Sequence, residues 1–317
     1  MSGLNIVHIT PTPLVGSPGK IAWAQKLSGH RSIAVALNDY PQNGPLSKKF
    51  LDRTLIIDSF TREFIDQEIK IADVIHVHNY LPTGKADWLK SLNQSAKYVY
   101  QAHSPLREGP LYVNRAEGHD IEYDLKLVVG QHWGRFYQDF KPVPNIILSP
   151  PSIQKRGDGE KLRIMFSPTH KHAGRWTSKN SDVLNRVLTN LQQLGKIDLV
   201  SPTQPVPPET LFDIRRTCHM TIDEISTGGF HMVSLEGMCA GNIVINRADF
   251  FGKATFASFC EGNMPPFVYT NESEVADTLM QFASDAELTR LKQSEAYAYF
   301  QEFCTPIKLV AKINELY

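Results

Sequence analysis

Short apolar runs alternate with longer amphipathic segments along most of the chain. In the first half, six runs have the length and composition of buried strands: residues 5–10, 32–37, 54–58, 73–77, 98–102 and 125–129. Helical patterns fall between them, one from about Lys20 and one from Trp88 to Leu92. Strands that alternate with helices predict a parallel sheet, with any ligand crevice at the carboxyl ends of the strands.

The same alternation starts again after residues 150–161, a stretch rich in Pro, Gly and charge that is typical of an interdomain linker. The 317 residues suit two α/β domains of about 150 residues each, so we predict domains at 1–150 and 151–300. In the second half we predict a helix at 181–194, a helix from Glu287 onward, and strands at 162–166, 197–200, 220–222 and 243–245.

The composition is that of a globular protein whose overall charge would not attract nucleic acid or an anionic membrane. Hydrophobic residues make up 42% of the chain, charged residues 21%, and the formal net charge is zero. The first residues lack the pattern of a secretory signal, and no apolar run is long enough for a transmembrane segment. The four cysteines show no CxxC spacing, which favours a reducing compartment, so we expect a cytoplasmic protein.

The segment from Gly228 to Asn246 carries the clearest chemical signal. A Gly-Gly turn leads into an apolar helix that contains one acid, Glu236, and the apolar strand 243–245 follows. Amides at a helix start bind anions such as a diphosphate, and an acid further along can accept hydrogen bonds from ribose hydroxyls. The segment therefore suggests a nucleotide-diphosphate site, with an ordinary helix–strand connection as the alternative.

This segment resembles the donor-site motif of GT-B glycosyltransferases, in particular the large retaining family 4. Three positions depart from the family pattern: Gly228 replaces a glutamate, His231 a glycine and Ile243 a proline. The resemblance implies two Rossmann-like domains that face each other across a cleft, with a last helix at 301–317 that returns to the first domain. The residues in register are Gly229, Phe230, Leu235, Glu236, Met238, Ala240, Gly241, Val244 and Ile245.

The resemblance also implies a donor site in the second domain. Arg175 and Lys179 match the two cations that stabilise the departing diphosphate, for which a guanidinium fork and an ammonium point charge are suited. Thr203 falls in the loop that cradles the base, and Glu224 lies just upstream of the Gly-Gly turn, where it could reach the donor. The remaining predicted donor residues are Gly228, Gly229, Phe230, His231 and Glu236.

On the acceptor side, three features lie at the ends of predicted strands of the first domain. The loop 14–20 contains Gly16 and Ser17, which we expect to approach a ligand closely. His76 and His78 fall on one face of a strand, where they would line the crevice, pack, or bind a metal, although no third ligand is obvious. The resemblance implies that His103 contacts the transferred sugar, and Arg107 follows as a candidate acceptor contact.

The function implied is that of a hexosyltransferase that uses a nucleotide-diphosphate sugar, with UDP favoured, as its co-substrate. We expect retention of anomeric configuration and neither a metal nor another cofactor, in agreement with the lack of an Asp-x-Asp motif. The acceptor hydroxyl is left open between a glycan or small molecule, a hydroxymethylated pyrimidine in phage-type DNA, and a protein or lipid. A sugar-nucleotide binding module without catalysis and a GT-B epimerase are the alternatives. The sequence leaves the sugar, the base and the oligomeric state open.

Overall fold

The computed structural model describes residues 3–39, 53–103, 119–130, 137–168, 181–202, 206–226 and 228–317. The chain divides into two compact units, one formed by Met1–Leu148 with Pro306–Tyr317 and the other by Ser149–Thr305. Each unit is an α/β structure with its own parallel sheet, so the predicted fold class is confirmed. None of the described helices is both long enough and apolar enough to cross a bilayer.

The first unit is built on a seven-stranded parallel sheet. Its strands are Asn5–Thr10 (β1), Arg31–Ala36 (β2), Leu55–Ile56 (β3), Val74–His78 (β4), Lys97–Ala102 (β5), Leu125–Val129 (β6) and Lys141–Val143 (β7). They lie in the order β3-β2-β1-β4-β5-β6-β7. The helices of this unit are Ser17–Leu27 (α1), Arg62–Lys70 (α2), Lys85–Leu92 (α3) and Pro306–Asn314 (α10).

The second unit is built on a five-stranded parallel sheet. Its strands are Leu162–Phe166 (β8), Ile197–Val200 (β9), Met220–Glu224 (β10), Ile243–Asn246 (β11) and Val268–Tyr269 (β12). They lie in the order β12-β11-β10-β8-β9. The helices are Asp182–Gln193 (α4), Pro208–Arg216 (α5), Met232–Cys239 (α6), Phe250–Phe259 (α7), Val275–Ser284 (α8) and Ala286–Phe303 (α9).

The apolar runs located all of the described strands except β7 and β12. Strands β1, β6, β8 and β9 have the predicted bounds. Strand β7, which has Pro142 at its centre, was not predicted. Proline is tolerated there because β7 is the last strand of its sheet, where a missing N–H need not serve a further neighbour. Strand β12 and helices α2, α5, α7 and α8 were not predicted either.

Each core forms where the helices cover their own sheet. In the first unit, Ile65 and Ile69 of α2 and Leu89 of α3 are fully buried against the strands. In the second unit, Leu184 and Leu188 of α4 repeat at the four-residue spacing that places side chains on one helix face. Burial of one such leucine stabilises a fold by roughly 1.5–3 kcal/mol, so these helices are held mainly by packing.

Helix α6 packs so closely on its sheet that Gly237 leaves no room for a side chain. A Cβ at this position would lie 2.8 Å from Cγ2 of Val244 and 3.2 Å from Cβ of Thr221. We expect Gly237→Ala to lower the free energy of unfolding by about 1–3 kcal/mol through overpacking, as measured by urea denaturation. Gly252→Ala in α7 is the matched control, because its Cβ would meet no atom closer than 3.6 Å. The control should be neutral or stabilise by about 0.4–1 kcal/mol, and equal effects of the two substitutions would contradict the close approach of α6.

Candidate functional site

The turn before α6 depends on the backbone conformation of Gly228. Its φ angle is +79°, in the left-handed region that a side chain disfavours. The carbonyl of Gly228 accepts a 2.7 Å hydrogen bond from the amide of Asp249, which also caps the start of α7 through its carboxylate. The position at which the resembled family has glutamate is therefore occupied by a residue that the turn itself requires.

Asp223 anchors the start of α6. At the carboxyl end of β10, its carboxylate accepts hydrogen bonds from the His231 amide at 2.5 Å and from Ser234 Oγ at 2.8 Å. The His231 ring lies against the same group, with Nδ1 3.1 Å from Oδ1. Asn246 in turn donates to Ser234 Oγ. The sequence predicted that the amides at the start of α6 are exposed to bind an anion. The amide of His231 is instead bonded to the carboxylate of Asp223.

Glu236 is held by an arginine that the sequence analysis missed. Oε2 of Glu236 lies 3.0 Å from Nη2 of Arg215. The Arg215 side chain is 1% exposed and the Glu236 side chain 24% exposed, so the pair joins a buried cation to a carboxylate at the surface of the unit. This contact engages one carboxylate oxygen, and no described residue is hydrogen-bonded to Oε1. Residue spacing gives no signal for Arg215, because α5 and α6 are separated in sequence by β10.

Two other predicted donor residues point into the second unit. Phe230 is 2% exposed and packs its ring 5.3 Å from Phe256 and 5.5 Å from Phe267, measured between centroids. Glu224 is fully buried and accepts a 2.7 Å hydrogen bond from the Ser226 amide. Gly229 is buried beside Phe230. Among the described donor residues, Gly228, His231 and Glu236 are partly exposed, whereas Glu224, Gly229 and Phe230 are buried.

Four of the predicted site residues lie outside the described residues. They are Arg107, Arg175, Lys179 and Thr203.

In the first unit, β1, β4 and β5 bring four histidines together. We call His8, His76, His78 and His103 the histidine cluster. His8 is the direct register partner of His76, and the rings of His76 and His78 stack with centroids 4.3 Å apart. His8 and His78 share a 2.9 Å hydrogen bond, as do His78 and His103. His76 and His78 share a face, as predicted. The sequence offered no obvious third ligand, and the parallel pairing of β1 with β4 adds His8 beside them.

Burial keeps the cluster uncharged. It lowers the pKa of His8 to about 4 and that of His103 to about 3, against an ordinary value near 6.5. The pKa values of His76 and His78 are also well below the ordinary value, first because of burial and then because each faces other histidines. All four rings are therefore neutral near pH 7, the state in which an imidazole both donates and accepts one hydrogen bond.

His103 is fixed through its backbone as well as its ring. Its amide donates a 2.6 Å hydrogen bond to Oδ1 of Asn79, which follows β4 in a left-handed conformation with φ of +57°. Tyr100 donates its hydroxyl proton to the carbonyl of the same asparagine. His103, the residue after β5, is thus held at the carboxyl edge of the sheet, where parallel sheets bind ligands.

The loop after β1 is strained. Leu14, Val15 and Gly16 have φ angles of +47°, +56° and +76°, and Ser17 then begins α1. A left-handed conformation is unusual for a β-branched residue such as Val15, which is 51% exposed. Gly16 and Ser17, which were predicted to approach a ligand, are both buried where this loop joins α1.

The histidine cluster makes the stability of the protein sensitive to acid. The folded state keeps the four rings neutral, whereas the unfolded chain protonates them near pH 6.5, so the unfolded state binds more protons below that pH. We expect the free energy of unfolding to fall between pH 7 and 5 by up to about 1.4 kcal/mol per pH unit for each neutral histidine. Urea denaturation at pH 7, 6 and 5 measures this slope.

A matched pair of variants assigns the slope to the cluster. His76→Phe keeps a ring beside His78 and removes one buried titratable group, so the slope should become shallower by up to about 1.4 kcal/mol per pH unit. Phe140→Leu, in the core of the same unit, changes no titratable group and should leave the slope unchanged. A stability that does not change over this pH range would contradict the neutral cluster.

Solved structures of glycosyltransferases share this fold over almost their whole length. An alpha-glucosyltransferase in complex with UDP and a 13-mer DNA containing a central A:G mismatch aligns with a TM-score of 0.66 at 11% identity, over 98% of both chains. An alpha-glucosyltransferase with UDP-glucose and DNA containing an abasic site gives 0.63 at 9% identity, over 100% of this chain and 99% of the other. A glycosyltransferase from Rickettsia africae gives 0.56 at 14% identity, over 98% and 97%.

No protein-family profile and no curated protein sequence matches the chain. The structural similarity therefore concerns the fold, and it confirms both the predicted GT-B architecture and the resemblance to glycosyltransferases that have it.

Proposed function

We propose that this protein is a glycosyltransferase that moves a hexose from a UDP-sugar to an acceptor hydroxyl, with retention and without a metal. The observation that supports this most directly is the Glu236–Arg215 pair. A carboxylate that is anchored on one oxygen and open on the other suits the two vicinal hydroxyls of a ribose. Its position on α6, the helix that follows the Gly228 turn, is the one that the sequence resemblance assigns to the nucleotide.

The diphosphate requires cations that the ribose contact does not supply. We assign this role to Arg175 and Lys179, which follow β8 in sequence. Charge develops on the diphosphate as the glycosidic bond breaks, so these groups would act mainly in the transition state. The alpha-glucosyltransferases that share the fold were solved with UDP and UDP-glucose, which supports a uridine nucleotide as the first donor to test.

For the acceptor, we propose a hydroxymethylated pyrimidine in DNA. Both alpha-glucosyltransferase structures contain DNA. In this chain, α1 presents Trp23, which is 42% exposed, with Lys26 Nζ 5.9 Å and Arg53 Cζ 5.3 Å from its ring centroid. An exposed aromatic ring with two neighbouring cations forms a local basic patch, and the cations are suited to contact DNA phosphates. Such a local patch suffices even though the whole chain has no net charge.

Glu236→Gln should weaken the binding of UDP. The amide oxygen still accepts from Arg215, so the buried cation keeps a partner, but the anionic acceptor for the ribose is lost. We expect about a tenfold higher Kd in isothermal calorimetry, the equivalent of one charged hydrogen bond. Glu209→Gln, at an exposed acid on α5 of the same unit, is the control. An unchanged Kd in Glu236→Gln would remove the proposed ribose contact.

Lys26→Ala combined with Arg53→Ala should weaken binding to DNA and transfer to it. The assay incubates the full chain, UDP-glucose and a duplex that contains 5-hydroxymethylcytosine, with EDTA present. We expect α-linked glucosyl-DNA from the wild type. In the double variant, the slope of log affinity against log salt should fall by about 0.9 for each phosphate contact removed.

Lys70→Ala, at an exposed lysine on α2, is the matched control and should behave as the wild type. Transfer to a soluble glycan but not to DNA would contradict the proposed acceptor. Tight binding of UDP-glucose without transfer to either acceptor would instead favour a binding module and overturn the enzymatic proposal.

A further inference from the structure

A line of hydrogen bonds runs through the first unit from α1 to the end of β5. Gln25 Oε1 lies 2.8 Å from His8 Nε2, His8 Nδ1 lies 2.9 Å from His78 Nε2, and His78 Nδ1 lies 2.9 Å from His103 Nε2. We call these four side chains the histidine relay. Gln25, His8 and His78 are at most 1% exposed, so water does not compete for these bonds.

The rings of the relay face each other along the line of the bonds. The centroids of His8 and His78 are 5.2 Å apart and those of His78 and His103 are 5.1 Å apart. Both separations exceed the 2.9 Å between the bonded nitrogens by about the width of a ring. The nitrogens therefore point at each other rather than past each other, which is the geometry of a hydrogen bond between two imidazoles.

The donor and the acceptor of each hydrogen bond in the relay follow from Gln25. The oxygen of the Gln25 amide can only accept, so His8 Nε2 carries a proton, and the neutral ring has a lone pair at Nδ1. His78 must then donate from Nε2 and accept at Nδ1. His103 in turn donates from Nε2, and its own Nδ1 is left with a lone pair. The amide orientation is supported at its other end, where Gln25 Nε2 donates to Asn314 Oδ1.

We propose that Gln25 is a positioning residue that acts through His8 and His78 to hold His103 in the tautomer with an unprotonated Nδ1. Within the described part of the chain, no group bonds to that nitrogen. His103 thus offers an acceptor to a substrate hydroxyl and has no free donor for a phosphate oxygen. The relay therefore favours a neutral, hydroxyl-bearing group beside His103. That the group belongs to a sugar rests on the proposed glycosyltransferase function.

The same histidines also meet a first criterion for a metal site. One ligand nitrogen from each of His8, His76 and His78 falls within 4.8 Å of the others. A zinc ion needs lone pairs that converge on one point at about 2.0–2.1 Å. The nitrogens of His8 and His78 face each other instead, and the His76 ring lies stacked at an interplanar angle of 20° over His78. The relay is the arrangement that this geometry favours, and metal binding is an outcome that the experiment can detect.

The test is the tautomer of His103, read by long-range ¹H–¹⁵N correlation in the full chain with ¹⁵N-labelled histidine and assigned with His103→Gln. We expect an unprotonated Nδ1 and a protonated Nε2 at pH 7 in the wild type, without any nucleotide. Gln25→Leu should mix the two tautomers and lower kcat/KM for UDP-glucose by about tenfold. Ser32→Ala removes the other donor to Gln25 Oε1 and should leave both readouts unchanged.

A proton on Nδ1 of His103 in the wild type would overturn the proposal, as would stoichiometric zinc that survives dialysis and shifts the signals of His8, His76 and His78. The wild-type spectrum tests the tautomer of His103 even if Gln25→Leu does not fold. The two proposals also fail separately. The expected tautomer in a chain that binds no nucleotide sugar would contradict the transferase and retain the relay, whereas transfer by a chain with the opposite tautomer would contradict only the relay.

Discussion

The chemistry of the first unit depends on the parallel pairing of β1 with β4. This pairing sets His8 directly opposite His76, and the two-residue repeat of a strand then brings His78 to the same face. Pairing of β4 with β5 extends the line toward His103. A slip of one residue between β1 and β4 would break the bond from His8 to His78, and a slip between β4 and β5 would break the bond from His78 to His103. The strand pairing of the sheet therefore sets which ring nitrogens of these histidines carry protons, as well as where the rings lie.

The second unit uses buried charge in a comparable way. Asp223 gathers the amide of His231 and the hydroxyl of Ser234, and Arg215 holds Glu236. Removing one member of such a set leaves a polar group unpaired in the interior, which costs more than the intact contact contributes. These interactions give the start and the exposed face of α6 a defined geometry, and a ligand that binds there meets groups that are already oriented.

The sequence predicted features whose residues are close together along the chain, and it missed contacts between residues that are far apart along it. Strand periodicity is local, so β1, β6, β8 and β9 were predicted with their bounds, and the Gly228–Asn246 segment was recognised because its turn, helix and strand are contiguous. His8, Gln25 and Arg215 were missed as site residues because each meets its partner through packing between separate segments. Asp223 was missed although its partners follow soon after it, because the turn that brings His231 back to it gives no sequence signal. His8 shows the limit well: it lies inside a correctly predicted strand, yet only strand order places it beside His76.

The left-handed turn at Gly228 also constrains how this sequence can diverge. Glutamate at this position, as in the resembled family, would have to adopt a φ angle near +79° while the bond from Asp249 to the turn is kept. The family residue is therefore accessible to this chain only together with changes that rebuild the turn, a case of epistasis set by one backbone dihedral angle. Searches that require the glutamate would pass over any homologue that has inherited the same glycine turn.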